Sequence, residues 1–272
     1  MECPYCDSKN TYELATLTKL GYSRYRCRNC SQRYNERTGT PFNFLEYPTD
    51  IVLLILFHYA RYKLSYEDMA EIFWLRGFKI CAETTRQWML RLGVIVGNLL
   101  RQKRYGKVGK RWHVDESYLR INGQWCYIYR AIDKAGNLVD VYLSPKRDKA
   151  SAIKFFQSAI HVTGHSPVQI TTDKNPAYSD AIKQALGDTV KHRTNKYLNN
   201  CLEQDHRAIK SRYYPMKGFK DFFCALIFCT VFEEVRNFFK VNTRSAEKLN
   251  SADKRGIILS KFHRFQKLII SA

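Results

Sequence analysis

The sequence predicts an α/β fold: a mixed-sheet core behind a small cysteine-held ribbon and a helical region. Three observations carry that expectation. Four cysteines stand in two Cys-x-x-Cys pairs within the first 30 residues. Apolar stretches with helix-cap signals follow. From residue 112 the pattern turns β-rich, first as three successive runs and then as strands alternating with helices. Across 272 residues, 45% hydrophobic and 14% aromatic side chains suffice for a real core, which excludes disordered and fibrous classes.

Residues 1–36 form the first unit. Cys3, Cys6, Cys27 and Cys30 have the spacing of a zinc ribbon, with 20 residues between Cys6 and Cys27 that read as a small hairpin. Four thiolates leave no open coordination position, so a single Zn²⁺ here is expected to be structural and to hold together a unit too short for its own core. A redox Cys-x-x-Cys comes singly and on a βαβ pattern. Residues 37–49, with Gly39, Pro41 and Pro48, read as a linker.

Residues 50–100 read as a helical, helix-turn-helix DNA-binding domain. Residues 50–62 are strongly apolar. Ser65 is placed to cap a second helix, with Asp68 three residues on and Gly77 at its end. Residues 82–92 make a third helix, closed by Gly93. Its Thr84, Thr85, Arg86, Gln87 and Arg91 are the candidate DNA-reading side chains; an ordinary helical bundle with a polar face is the competing reading. Residues 101–111 form a basic linker able to track a phosphate backbone.

Residues 112–121 and 124–132 are strand-like and flank Asn122-Gly123, a two-residue hairpin signal. A third strand spans 137–143 and a helix 149–160. A buried-strand candidate, 167–172, ends at Asp173. A helix at 178–186, a short strand at 189–193 and a helix at 198–211 complete the alternation. Three antiparallel strands followed by β-α-β-α make a mixed sheet of the ribonuclease-H type over residues 112–240. The apolar helix 219–240 is expected in the core, with part of it a dimer surface. Residues 241–272 form a basic carboxy-terminal tail without an assigned role.

Three acids stand out by position. Asp115 lies mid-strand, where a carboxylate is costly unless paired or metal-bound. Asp173 ends a strand, the place where ligands sit in open α/β sheets. Glu203 opens a helix face continued by His206, Arg207 and Lys210. Oxygen-rich acids in a chain with 45 Lys+Arg against 25 Asp+Glu suit a pair of Mg²⁺ ions, with Mn²⁺ as a substitute. Glu116 and Asp133 read as bystanders, since strand alternation turns Glu116 away from Asp115 and Asp133 sits at a turn. His113 shares the Asp115 face and reads as a core histidine. Lys174, Lys196, Arg207, Lys210 and Arg212 are candidate phosphate contacts. Tyr213 and Tyr214 read as packing residues.

Several motifs in order then point to one family. Trp112-His113-Val114-Asp115-Glu116-Ser117-Tyr118, the run 125–133, Leu143-Ser144-Pro145-Lys146-Arg147-Asp148, Thr172-Asp173-Lys174-Asn175-Pro176-Ala177-Tyr178 and the run 197–207 resemble the DDE transposases of prokaryotic insertion sequences, insertion sequence family six in particular. The resemblance covers roughly residues 45–240. It implies a helix-turn-helix, a ribonuclease-H-like catalytic domain, and Asp115, Asp173 and Glu203 as the catalytic, metal-binding triad. Lys210 falls where such families place a DNA-contacting base. The interval between Asp173 and Glu203, 29 residues, is shorter than the family's usual one, and a trimmed loop around Gly187-Asp188 explains it.

The implied activity is binding of terminal inverted repeats and metal-dependent strand cleavage and transfer by in-line phosphoryl transfer. The alternative is a transposase-derived DNA-binding regulator without catalysis, which the intact acidic set argues against. A net charge of +20 fits double-stranded DNA, element ends and target alike, as the partner. Two ends must meet, so a homodimer or larger assembly is expected. Residues 51–57, the longest apolar run, are too few to span a bilayer. No apolar leader opens the chain, and a cytoplasmic, nucleoid-associated location is expected.

Overall fold

The computed structural model describes residues 1–173, 175–194, 200–241 and 249–270, with only the backbone for residues 200–205. The amino-terminal ribbon is a three-stranded antiparallel sheet of β1 (Thr11–Leu17), β2 (Ser23–Cys27) and β3 (Arg33–Asn35) in that order. Its buried interior is little more than Cys3, Cys27 and Tyr34. The residues expected to form a loose linker are instead packed. Phe42 is buried, and the buried Arg37 guanidinium lies over the Tyr22 ring and donates to the carbonyls of Phe42 and Tyr47.

Three helices follow: α1 (Thr49–Arg61), α2 (Tyr66–Trp74) and α3 (Ala82–Gln102). The cap expected at Ser65 is present as a reciprocal pair: its hydroxyl accepts from Asp68 N at 3.0 Å, while the Asp68 carboxylate accepts from Ser65 N at 2.7 Å. Gly93 does not close α3. The helix runs through Gly93 and Gly97, which face α7 (Phe222–Phe239). A Cβ at Gly93 would stand 3.3 Å from a Val231 methyl, so these glycines permit close helix approach rather than a stop. The basic linker is also corrected. Arg101 is the last turn of α3, and Arg104 is buried and paired to Glu234.

The main sheet has five strands in the order β6-β5-β4-β7-β8: β4 (Arg111–Ile121), β5 (Gln124–Asp133), β6 (Leu138–Ser144), β7 (Gln169–Thr172) and β8 (Lys191–Thr194). β4, β5 and β6 are antiparallel neighbours, while β7 runs parallel to both β4 and β8. Asn122 and Gly123 both have positive φ, 46° and 76°, as a tight hairpin turn requires. The sheet is thus mixed, within an α/β fold.

Helices cover both sheet faces. On one side α4 (Lys149–Thr163) and α5 (Pro176–Leu186) pack Phe155, Phe156 and Tyr178 against Trp112, Val114 and Tyr129. Asp148 caps α4 by accepting from Ser151 N, and Pro176 begins α5 behind the Asn175 cap. On the other side α6 (Asn200–Tyr213) and α7 meet the sheet, with α1 and α3 packed on α7. The carboxy-terminal residues are not a trailing tail. They form α8 (Ser251–Ile270), whose Phe265 and Ile269 are buried in the α1/α3/α7 core. Together α1, α3, β6 and α8 cover most of α7, which carries ten buried residues, so the expected dimer surface on it is reduced to residues such as Phe223, 60% exposed.

Candidate active site

Sheet register sets the site. In the parallel pair β4/β7, Arg111, Trp112 and His113 lie opposite Gln169, Ile170 and Thr171. Two residues further along the chain in each case come Asp115, within β4, and Asp173, just past the end of β7. One carboxylate oxygen each from Asp115, Glu116 and Asp173 lies within 4.8 Å of the others, and all three residues are half-buried. Three hard oxygen donors at that spacing can share a divalent cation.

Glu116 corrects the sequence reading. Alternation does turn it to the α5 side of β4, yet its carboxylate still reaches the cluster. It accepts from Tyr178 Oη, from Asn175 Nδ2 at 3.0 Å and from Arg147 Nε at 2.5 Å. Its charge, after burial, pushes the Tyr178 hydroxyl well above its ordinary value and keeps it a donor. Period-two patterning gave no hint of this. The signal available was Tyr178 and Asn175 just beyond Asp173, two side-chain donors close to the strand end. Asp133 does behave as a turn residue: it accepts from Gly109 N, Ala135 N and Asn137.

Asp115 Oδ1 accepts from Glu116 N at 2.9 Å, and its Oδ2 lies 3.9 Å from His206 Nδ1 on α6. His206 is therefore buried against the acid cluster rather than exposed. Burial lowers the His113 pKa, with Asp133 opposing. Glu203 lies on α6 one turn before His206, but its side chain falls outside the described residues.

The DNA candidates divide. Thr85 is 1% exposed and packs inward. Arg86 and Gln87 both reach Glu83, at 2.7 Å, and remain accessible along with Arg91 and the half-buried Thr84. Arg207 is exposed, and Lys210 Nζ stands 5.1 Å over the Tyr118 ring. Arg212 is not a surface cation. It is 5% exposed, donates to Tyr59 O at 2.6 Å and lies against the rings of Tyr59, Phe228 and Phe232. Lys174 and Lys196 lie outside the described residues. Tyr213 is a packing residue, its hydroxyl accepting from Arg120 N, whereas Tyr214 is 65% exposed.

A second cluster lies in the ribbon. Cys3 and Cys30 Sγ are 3.5 Å apart, Cys6 and Cys27 Sγ 3.6 Å, and all four sulfurs lie within 4.8 Å of one another. A tetrahedral ZnS₄ centre with bonds of about 2.3 Å has edges of about 3.8 Å, so the four sulfurs need little adjustment to take the ion. Within the coupled cluster, backbone donation from Cys30 lowers the Cys27 thiol to about 6, while the neighbouring thiols Cys6 and Cys30 are pushed up, so deprotonation of all four needs the cation itself.

Comparison with known proteins places the chain among transposases. A family model described as a DDE domain matches residues 109–242. The transposase for insertion sequence-like element IS431mec of Staphylococcus aureus (strain Mu50) is 35% identical over 179 residues, spanning 63% of this chain and 77% of its own. The transposase for IS257 in transposon Tn4003, also from Staphylococcus aureus, matches to the same extent. Among solved structures, the HTLV-2 integrase catalytic core in complex with magnesium aligns over 56% of this chain and 98% of its own, at 18% identity and a TM-score of 0.37.

Proposed function

Because the chain belongs to the family of insertion-sequence DDE transposases that includes those of IS431mec and IS257, we propose that it binds the terminal inverted repeats of its own element and performs metal-dependent strand cleavage and transfer. It is an enzyme, a DNA transposase. The observation that carries the chemistry is the juxtaposition of Asp115 and Asp173 by the β4/β7 register, with Glu116 beside them. The order and directions of the five strands favour a ribonuclease-H-like core.

In this reading Asp115 and Asp173 hold Mg²⁺, and Glu203 completes the set. Its place on α6, one turn from His206 and on the same helix face, supports that role. Two bound cations would activate a water or 3′-hydroxyl nucleophile and stabilise the leaving 3′-oxygen. The protein's part is positioning. Arg147, Asn175 and Tyr178 fix the Glu116 carboxylate, while Glu116 N fixes the Asp115 rotamer. His206 Nδ1 stands 3.9 Å from the second Asp115 oxygen.

The ribbon would hold one structural Zn²⁺ on Cys3, Cys6, Cys27 and Cys30, and α2 and α3 would form the helix-turn-helix that presents Arg86, Gln87 and Arg91 to element ends. Joining two ends calls for at least a homodimer. Among the described residues no helix is long and apolar enough to cross a membrane.

The test is incubation with Mg²⁺ and donor DNA bearing the gene's own flanking ends. End-dependent joined products are expected, absent in Glu203→Gln while that variant's DNA affinity is retained. A joining-competent Glu203→Gln would overturn the triad.

A further inference from the structure

The structure holds a second, strongly cationic cleft away from the acid cluster, and we propose that it grips the phosphate backbone of duplex DNA. The proposal rests on DNA being the substrate, but on none of the acid-site assignments.

The cleft, about 580 Å³, lies between the carboxyl end of α3 and the residues after it, the β5–β6 turn, the end of α7, and α8. Its construction is specific. Lys261 Nζ donates to Phe238 O at 2.9 Å and Lys240 O at 2.7 Å, fastening α8 to the last carbonyls of α7. Lys240 Nζ donates to Gly136 O, which ties the same corner to the β5–β6 turn. Glu234, the one acid in the lining among the described residues, is 1% exposed and already bound by Arg104.

What faces solvent is positive. Lys103, Lys107, Arg264 and Lys267 are exposed, and no described acid pairs with any of them. Gathering four such cations around one cleft costs mutual repulsion, which a polyanion relieves by replacing its condensed counterions. The four come in two pairs, Lys103 and Lys107 just after α3 and Arg264 and Lys267 on α8, around an open rim, which suits a backbone laid across them more than a small enclosed anion. α3 is 21 residues long, about 30 Å at 1.5 Å per residue. The cleft at its carboxyl end is therefore far from Thr84 and Arg86 at its amino end. It adds a sequence-independent hold to whatever α3 reads, and it gives α8 a task.

The test measures binding of a labelled duplex of arbitrary sequence, about 30 base pairs and lacking element ends, across a range of KCl. Each phosphate contact contributes about 0.9 to the slope of log K against log salt. Lys107→Gln/Arg264→Gln/Lys267→Gln should flatten the slope by about 2 to 3 and weaken binding on the order of 10²-fold at 0.1 M salt. The charge-keeping set Lys107→Arg/Arg264→Lys/Lys267→Arg should restore it. A control removing equal charge from the α4/α5 side, Lys154→Gln/Lys183→Gln/Lys191→Gln, should change it far less. An unchanged slope in the first variant overturns the proposal, as does an equal effect in the control. A protein that never joins its own ends yet shows the slope change keeps the cleft and loses the catalytic reading; joining with an unchanged slope does the reverse.

Discussion

Replacing Asp173 by asparagine should make the protein more stable without metal and less stable with it. The Asp115 and Asp173 oxygens lie within 4.8 Å. Two unit charges at that separation repel by about 0.9 kcal/mol in water and about 3.5 kcal/mol at an effective dielectric of 20. Both residues are half-buried, which places the cost near the lower end. Glu116 adds little because Arg147 answers its charge. The asparagine keeps an oxygen able to accept from Asn175 N, as Asp173 Oδ1 does at 3.0 Å, so the β7–α5 turn survives. Asp173→Asn therefore gains about 1 kcal/mol in EDTA, roughly 2–4 °C in Tm for a chain of this size. With Mg²⁺ at a hundred times its Kd, the wild type gains about 2.7 kcal/mol per ion and the variant does not. Thermal unfolding in EDTA and in millimolar MgCl₂ should show the order of the two proteins invert. A variant less stable in EDTA, or one with the wild-type Mg²⁺ shift, would refute the reasoning.

Three further outcomes are expected. Burial raises Glu234 to about 7 from an ordinary 4.5, against the pull of Arg104. The folded state thus holds the proton more tightly, and the stability this contributes is complete below about pH 4.5 and lost as pH rises through about 7, some 3 kcal/mol in all; urea unfolding from pH 5 to 8 should lose that decline in Glu234→Gln, and an identical decline would exclude Glu234 as its source. Cys27→Ser should lower bound zinc from about one equivalent to none, read by metal analysis, with the amino-terminal ribbon losing hydrogen-exchange protection and the main sheet keeping it; undiminished zinc would reject the ribbon site. Gly93→Val should cost about 1–3 kcal/mol by pressing on Val231, whereas Gly97→Ala, whose Cβ would meet ordinary contacts at 3.5 Å, should be neutral or gain up to about 1 kcal/mol in helix propensity; equal effects in denaturant unfolding would show that α3 and α7 are not closely packed there.

Local chemistry was legible and long-range packing was not. The Asn122-Gly123 hairpin, the Ser65/Asp68 cap and the strand ending at Asp173 are fixed by neighbours in sequence, and each appears where expected. Gly93 looked like a helix stop because nothing nearby in sequence reveals that Val231 and Ile227, more than 130 residues on, need the space. Glu116 was set aside on strand alternation, which fixes the direction of a Cβ but not the reach of a three-carbon acid drawn in by Tyr178. The run at 101–111 read as a basic linker able to track a phosphate backbone. Two of its arginines in fact serve a buried network: Arg101 donates to Asp140 and Ser158, and Arg104 binds Glu234 and the carbonyl of Leu138. Composition registers charge but not whether a partner waits in the core.

Arg212 carries that lesson into the mechanism. In sequence it is one more cation on a basic helix. In the fold it is the anchor of α6, donating to Tyr59 O on α1 and packed against Phe228 and Phe232 of α7, while Tyr213 in the next position accepts from Arg120 N of β4. The carboxyl half of α6 is thereby fixed to three elements, and that fixation presents the turn holding His206 to Asp115. Lysine cannot replace the planar fork stacked among three rings. Arg212→Lys should therefore slow joining at least tenfold through misplacement of α6, while the salt slope for duplex binding stays at the wild-type value because no phosphate contact has been lost. Thermal unfolding separates this from a general failure to fold. A slope flatter by about 0.9 would instead place the guanidinium on DNA and remove the anchor role.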